Sequence, residues 1–80
     1  MSESENKLRQ AFARGLDIPE SAVNDGLKYA SSPGWDSVAH MSLVASLDST
    51  FDIMMDTDDV IDMSSYVKAR EILTKYGVKF

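Results

Sequence analysis

The 80-residue chain has no cysteine, which excludes a disulfide framework and thiolate metal sites. His40 is its only histidine, so an imidazole cluster has no donor set. No stretch approaches the roughly 18 consecutive apolar residues of a membrane-spanning helix. The segment Met1 to Asn6 lacks both the basic start and the apolar core of a secretory signal. These absences set the expectation of a cytoplasmic chain with no membrane span. Lysine and arginine are missing between Tyr29 and Val67, where Asp36, Asp48, Asp52, Asp56, Asp58, Asp59 and Asp62 all fall. The formal charge of -5 is therefore concentrated in the middle of the chain. Such a surface repels nucleic-acid phosphates and favours encounter with basic partner surfaces. It does not form a calcium loop, which alternates oxygen ligands and needs glycine at the sixth position. Counted from Asp56, the fifth position is Val60 and the sixth Ile61; no metal site is assigned.

The length and a hydrophobic content of 44% suit one small domain, residues 1–80, with a single core. Leu8, Ala11, Phe12 and Leu16 recur at helical spacing and predict a first helix over 7–16, with Ser4 or Glu5 near its start and fraying at Gly15. Pro19 stops that helix. A long connection from Asp17 to Gly34 follows, with Ile18, Val23, Leu27 and Tyr29 placed to pin it to the core. Loops of that length tend to be functional. Val38, Met41, Val44, Ala45, Leu47 and Phe51 predict a second helix over 37–50, with Phe51 and Ile53 extending the apolar contacts. Thr57 is placed to cap a two-turn third helix, Asp58 and Asp59 lying in its first turn and Val60, Ile61 and Met63 forming an apolar edge. Ser64 or Ser65 caps a fourth helix carrying Tyr66, Ala69, Leu73 and Tyr76, which Gly77 ends. The expected fold is all-α: a small bundle of three longer helices and one short one, with a long first loop.

The candidate site is Gly34-Trp35-Asp36-Ser37-Val38, where Pro33 and Gly34 punctuate the loop that enters the second helix. Asp36 occupies the N-cap position, where its carboxylate accepts from first-turn N–H groups. A group held on Ser37 lies over those same N–H groups, an arrangement that favours phosphate.

This motif resembles that of the acyl carrier protein family, in which the serine of an Asp-Ser-Leu sequence opening the second helix carries phosphopantetheine. Asp36-Ser37-Val38 stands in that place, Phe51-Asp52-Ile53 matches the segment closing the helix, and the long first loop agrees. The resemblance implies a non-enzymatic carrier. A phosphopantetheinyl transferase would attach the arm of coenzyme A to Ser37, and the arm's thiol would then carry an acyl or aminoacyl group as a thioester. Its further implied partners are a loading ligase and downstream acyl-transfer enzymes with basic docking surfaces, and the chain is expected to be a monomer. Fatty acid synthesis carriers commonly display several acids on the exposed second helix. Here Ala39, Ser42, Ser46 and Ser49 occupy that region and the acids are displaced to Asp52 through Asp62. That departure, with Trp35 and His40, points to a specialised lipid or natural-product pathway.

Asp36 is also the expected recognition carboxylate. Trp35 reads first as an anchor of the loop and second as a recognition patch. Val38, Met41, Val60 and Ile61 are further recognition candidates, with Met41 read primarily as core. A hydrolytic triad can be drawn from Asp36, Ser37 and His40, but all three fall within five positions of one element and no second element offers an oxyanion hole. The alternative from another class is an unmodified acidic helical module that binds a basic partner.

Overall fold

The computed structural model of the chain describes residues 3–30 and 34–80. Four α-helices occur among these residues: α1 (Glu3–Leu16), α2 (Ser37–Phe51), α3 (Thr57–Asp62) and α4 (Tyr66–Lys75). The described part of the long connection contains a 3₁₀ turn, Glu20–Ala22. No helix among the described residues is long and apolar enough to cross a membrane. The all-α bundle read from the sequence is the observed architecture; Pro33 lies outside the described residues.

Helix α1 begins at Glu3, four residues before the expected Lys7. Glu3 and Glu5 favour the positive helix end, Lys7 pairs with Glu3 one turn away at 3.7 Å, and Glu5 is tied to α4. Its oxygens accept from the Tyr66 hydroxyl at 2.5 Å and from Arg70 at 2.9 Å. The stripe Leu8, Ala11, Phe12 and Leu16 is buried as expected. Gly15 corrects the reading of a frayed end: it is helical and buried, and a Cβ there would lie 2.6 Å from the Leu43 Cα of α2. Glycine is required by the close crossing of the two backbones. Gly15→Ala is therefore expected to destabilise by about 1–3 kcal/mol through overpacking, although the same change in an open helix interior stabilises by about 1 kcal/mol. A urea melt gives the sign, and a higher midpoint would contradict the crossing.

The core face of α2 also differs from the expected stripe. Leu43, Val44 and Leu47 are buried, whereas Val38, Met41 and Ala45 are exposed. Apolar residues lie nearly all round this helix, so their spacing does not single out the inward face. It ends at Phe51, one residue later than expected, with Asp52 in the left-handed region at φ 53°. Asp56, with no side-chain cap bond, occupies the N-cap of α3, and Thr57 is the first helical residue. Ser65, rather than Ser64, caps α4 through the Lys68 N–H. Gly77 closes α4 at φ 94°.

Val23 and Leu27 are buried and pin the long connection to the core, whereas Ile18 is half-buried and Tyr29 exposed. The connection is tied to the α3–α4 junction by the Tyr29 N–H donating to the Ser64 carbonyl at 2.9 Å and the Tyr66 N–H donating to the Leu27 carbonyl at 3.1 Å. Asp59 departs from the reading of a solvated first-turn acid. It is buried and joined to Lys75 at 2.5 Å and to the Tyr76 hydroxyl at 2.6 Å. Lys75 and Tyr76 hold the Asp59 carboxyl below its usual range, and Tyr66 with Arg70 does the same for Glu5 against the opposing effect of burial. Burial and the Glu5 bond push the Tyr66 phenol upward. Both carboxylates bind protons more weakly in the folded chain than in the unfolded one. Their stabilisation is complete above the ordinary carboxylate range and is lost as pH falls through the lowered folded values. Thermal midpoints are expected to fall from pH 5 towards pH 3, and Asp59→Asn should flatten that fall. An equally steep fall in the variant would contradict the assignment for Asp59.

Candidate functional site

The chain enters α2 through Gly34, at φ 84° with the Leu16 carbonyl oxygen only 3.2 Å from where a Cβ would stand. The Ala30 N–H donates to the Trp35 carbonyl at 3.0 Å, holding the far end of the loop against the start of the helix. Trp35 is 1% exposed and meets the Phe12 ring edge-on at 5.5 Å between centroids. It anchors the turn and presents no recognition surface. Asp36 is extended and exposed, and its Oδ1 accepts from the Ala39 N–H at 2.9 Å. This is the N-cap bond expected from the motif, and it fixes where the helix begins.

Ser37 is the first residue of α2 and is exposed. It lines a groove of about 420 Å³ with Tyr29, His40, Met41, Val60, Ile61, Met63 and Ser64. Three of the proposed recognition residues, Met41, Val60 and Ile61, thus meet beside the serine. Met41 is 60% exposed and Ile61 73%, so the reading of Met41 as core is corrected. Val38 is 79% exposed but does not line the groove; it stands on the neighbouring surface.

His40 is not arranged as a base for Ser37. Its Nδ1 accepts from the Trp35 indole N–H at 2.9 Å, and its Nε2 lies 2.7 Å from the Val60 carbonyl oxygen. Its ring lies nearly parallel to that of Trp35, with centroids 6.0 Å apart, and meets Tyr29 edge-on at 5.3 Å. Asp36 is likewise engaged with the helix start rather than with His40. The drawn triad is therefore not assembled, because each of its orienting groups already has a structural partner. What remains is an exposed primary hydroxyl at a capped helix start, next to an apolar groove. Such a hydroxyl suits a group delivered and attached by another protein, since serine without a neighbouring base is a weak nucleophile. First-turn N–H groups without helical acceptors favour an attached anion.

Tyr29, Met63 and Ser64 are groove residues that spacing along α2 did not reveal. They arrive through the long connection and the α3–α4 junction, and the pairing of those segments left no periodic signal. Of the central aspartates, Asp36, Asp52, Asp56, Asp58 and Asp62 are exposed, while Asp48 is half-buried and accepts from the Met55 N–H at 3.2 Å. Compared with known proteins, the chain matches no family model and no solved structure.

Proposed function

We propose that this chain is a phosphopantetheine-dependent carrier that holds an acyl or aminoacyl group as a thioester and delivers it between separate enzymes. The observation that carries the reading is the exposed Ser37 at the Asp36-capped start of α2, opening onto the apolar groove formed with Met41, Val60 and Ile61. In the attachment step the Ser37 oxygen forms a bond to phosphorus while the pyrophosphate linkage of coenzyme A breaks. The nucleotide bisphosphate leaves, and the hydroxyl proton passes to the transferase. Attached to the first residue of α2, the resulting phosphodiester would be held near the helix's positive end, which favours its charge. Chemistry at the thioester belongs to the partner enzymes.

Asp52, Asp56, Asp58 and Asp62 surround the α2–α3 connection and α3, and the exposed face of α2 carries Ser42, Ala45 and Ser49. Basic groups of a transferase or loading ligase therefore engage the α3 side, while Val38 and Met41 supply apolar contact beside Ser37. The displacement of acids away from α2 supports partners outside the usual fatty acid synthesis set, in a specialised lipid or natural-product pathway. Incubation with coenzyme A and a broad-specificity phosphopantetheinyl transferase tests the reading, with one arm incorporated per folded chain as the expected result. A folded chain that takes no arm while a control carrier is loaded would leave an unmodified acidic interaction module.

A further inference from the structure

Helix α3 has six residues, too few to be stable without tertiary support. One support is the contact of Asp59 with Lys75 at the end of α4 and with Tyr76 just beyond it; another is Met63, which is fully buried. The third comes from across the groove. The Val60 carbonyl belongs to the last turn of α3, where carbonyls lack an intrahelical donor, and the His40 ring of α2 reaches it at 2.7 Å.

The ring's other nitrogen determines whether that contact is a hydrogen bond. An indole N–H only donates, so the Trp35 indole at 2.9 Å from Nδ1 requires Nδ1 to be unprotonated. In the neutral imidazole the proton then resides on Nε2, the nitrogen facing the Val60 oxygen. Trp35 thus imposes the tautomer that lets His40 donate to α3. The connected bonds run from the buried residue two places before Ser37, through one ring, to the opposite wall of the groove.

We propose that His40 is a strut, set in its working tautomer by Trp35, that holds α3 against the start of α2 and so fixes the groove beside Ser37. His40 is a positioning residue on this account, and the proposal holds whether or not Ser37 carries an arm.

The test is nuclear magnetic resonance on the unmodified full chain. In the wild type, His40 ring nitrogen shifts should report the Nε2–H tautomer, and Trp35→Phe should move them towards a mixture. Amide exchange then reads the strut. In His40→Phe, the Val60 amide of α3 and the Met63 amide that closes it should exchange roughly three- to tenfold faster, as expected for the net loss of one hydrogen bond, with the Leu43 and Leu47 amides of α2 unchanged. His40→Gln should restore α3 protection, because its terminal amide N–H extends to about the place of Nε2. An Nδ1–H tautomer in the wild type would overturn the proposal. So would unchanged α3 exchange in His40→Phe, equal acceleration in both helices, or a glutamine variant as fast as phenylalanine.

Discussion

Phe12→Ala is expected to remove a large part of the chain's folding stability. Phe12 is fully buried, and its ring meets Trp35 at 5.5 Å and Tyr66 at 5.0 Å, both edge-on. It therefore joins α1 simultaneously to the turn before Ser37 and to the first turn of α4. Truncating a buried phenylalanine costs about 3–5 kcal/mol, because the transfer free energy is lost and a cavity remains. A chain of this size has about 4–12 kcal/mol of total stability at ordinary values per residue, so the substitution removes a large part of it. Phe12→Leu fills much of the space and should recover much of the loss. Far-ultraviolet dichroism through a urea titration measures both variants. A Phe12→Ala midpoint close to wild type would show that the three-ring contact is not the centre of the core.

Ser37→Ala should produce the largest functional change with little structural change: no arm is accepted, while the helical spectrum and melting midpoint stay close to wild type. The two outcomes separate because the bonds that cap α2 are made by Asp36 and not by the Ser37 hydroxyl. The Asp36 carboxylate accepts from the Ala39 N–H, and its carbonyl accepts from the His40 N–H at 2.8 Å. Neither bond involves the Ser37 hydroxyl. Alanine is also a good helix former, and the site is exposed, so no cavity or unpaired buried group is created. Asp36→Ala is the complementary case. It removes the cap, with a typical cost of about 1 kcal/mol, but leaves the hydroxyl. Loading of Ser37→Ala at wild-type yield would show that the arm resides elsewhere.

Much of this organisation is legible in the chain because one physical rule controls each legible part. The α1 stripe has a strongly one-sided pattern, so Leu8, Ala11, Phe12 and Leu16 identify the buried face correctly. Asp36 is legible as a cap, and the α4 cap is legible to within the pair Ser64 and Ser65, because capping is local chemistry within three residues. Helix α2 is different: with apolar side chains nearly all round it, the spacing of Val38, Met41 and Ala45 is as regular as that of the buried Leu43 and Leu47. Only the position of α1 decides which side turns inward, and it does so through the close approach of Gly15 to Leu43.

The candidate site divides in the same way. Ser37 and its cap follow from five consecutive residues, and Ile61 and Val60 follow from the apolar edge of α3. The pairing of Trp35, His40 and Val60 spans three elements and leaves no pattern at any single spacing. Asp59 is similarly concealed among seven aspartates; its partners Lys75 and Tyr76 become visible only when α3 rests on α4.

The most direct test of the proposed carrier function is to locate the added group on wild-type protein after incubation with coenzyme A and transferase. Trypsin has no cleavage site between Lys28 and Lys68, whereas cleavage before aspartate releases Asp36 to Leu47, a peptide with Ser37, Ser42 and Ser46. Fragmentation of that peptide distinguishes the three hydroxyls. The expected result is one phosphopantetheine per chain, all of it on Ser37. Modification at another residue, or none on a folded sample while a control carrier is loaded, would contradict it.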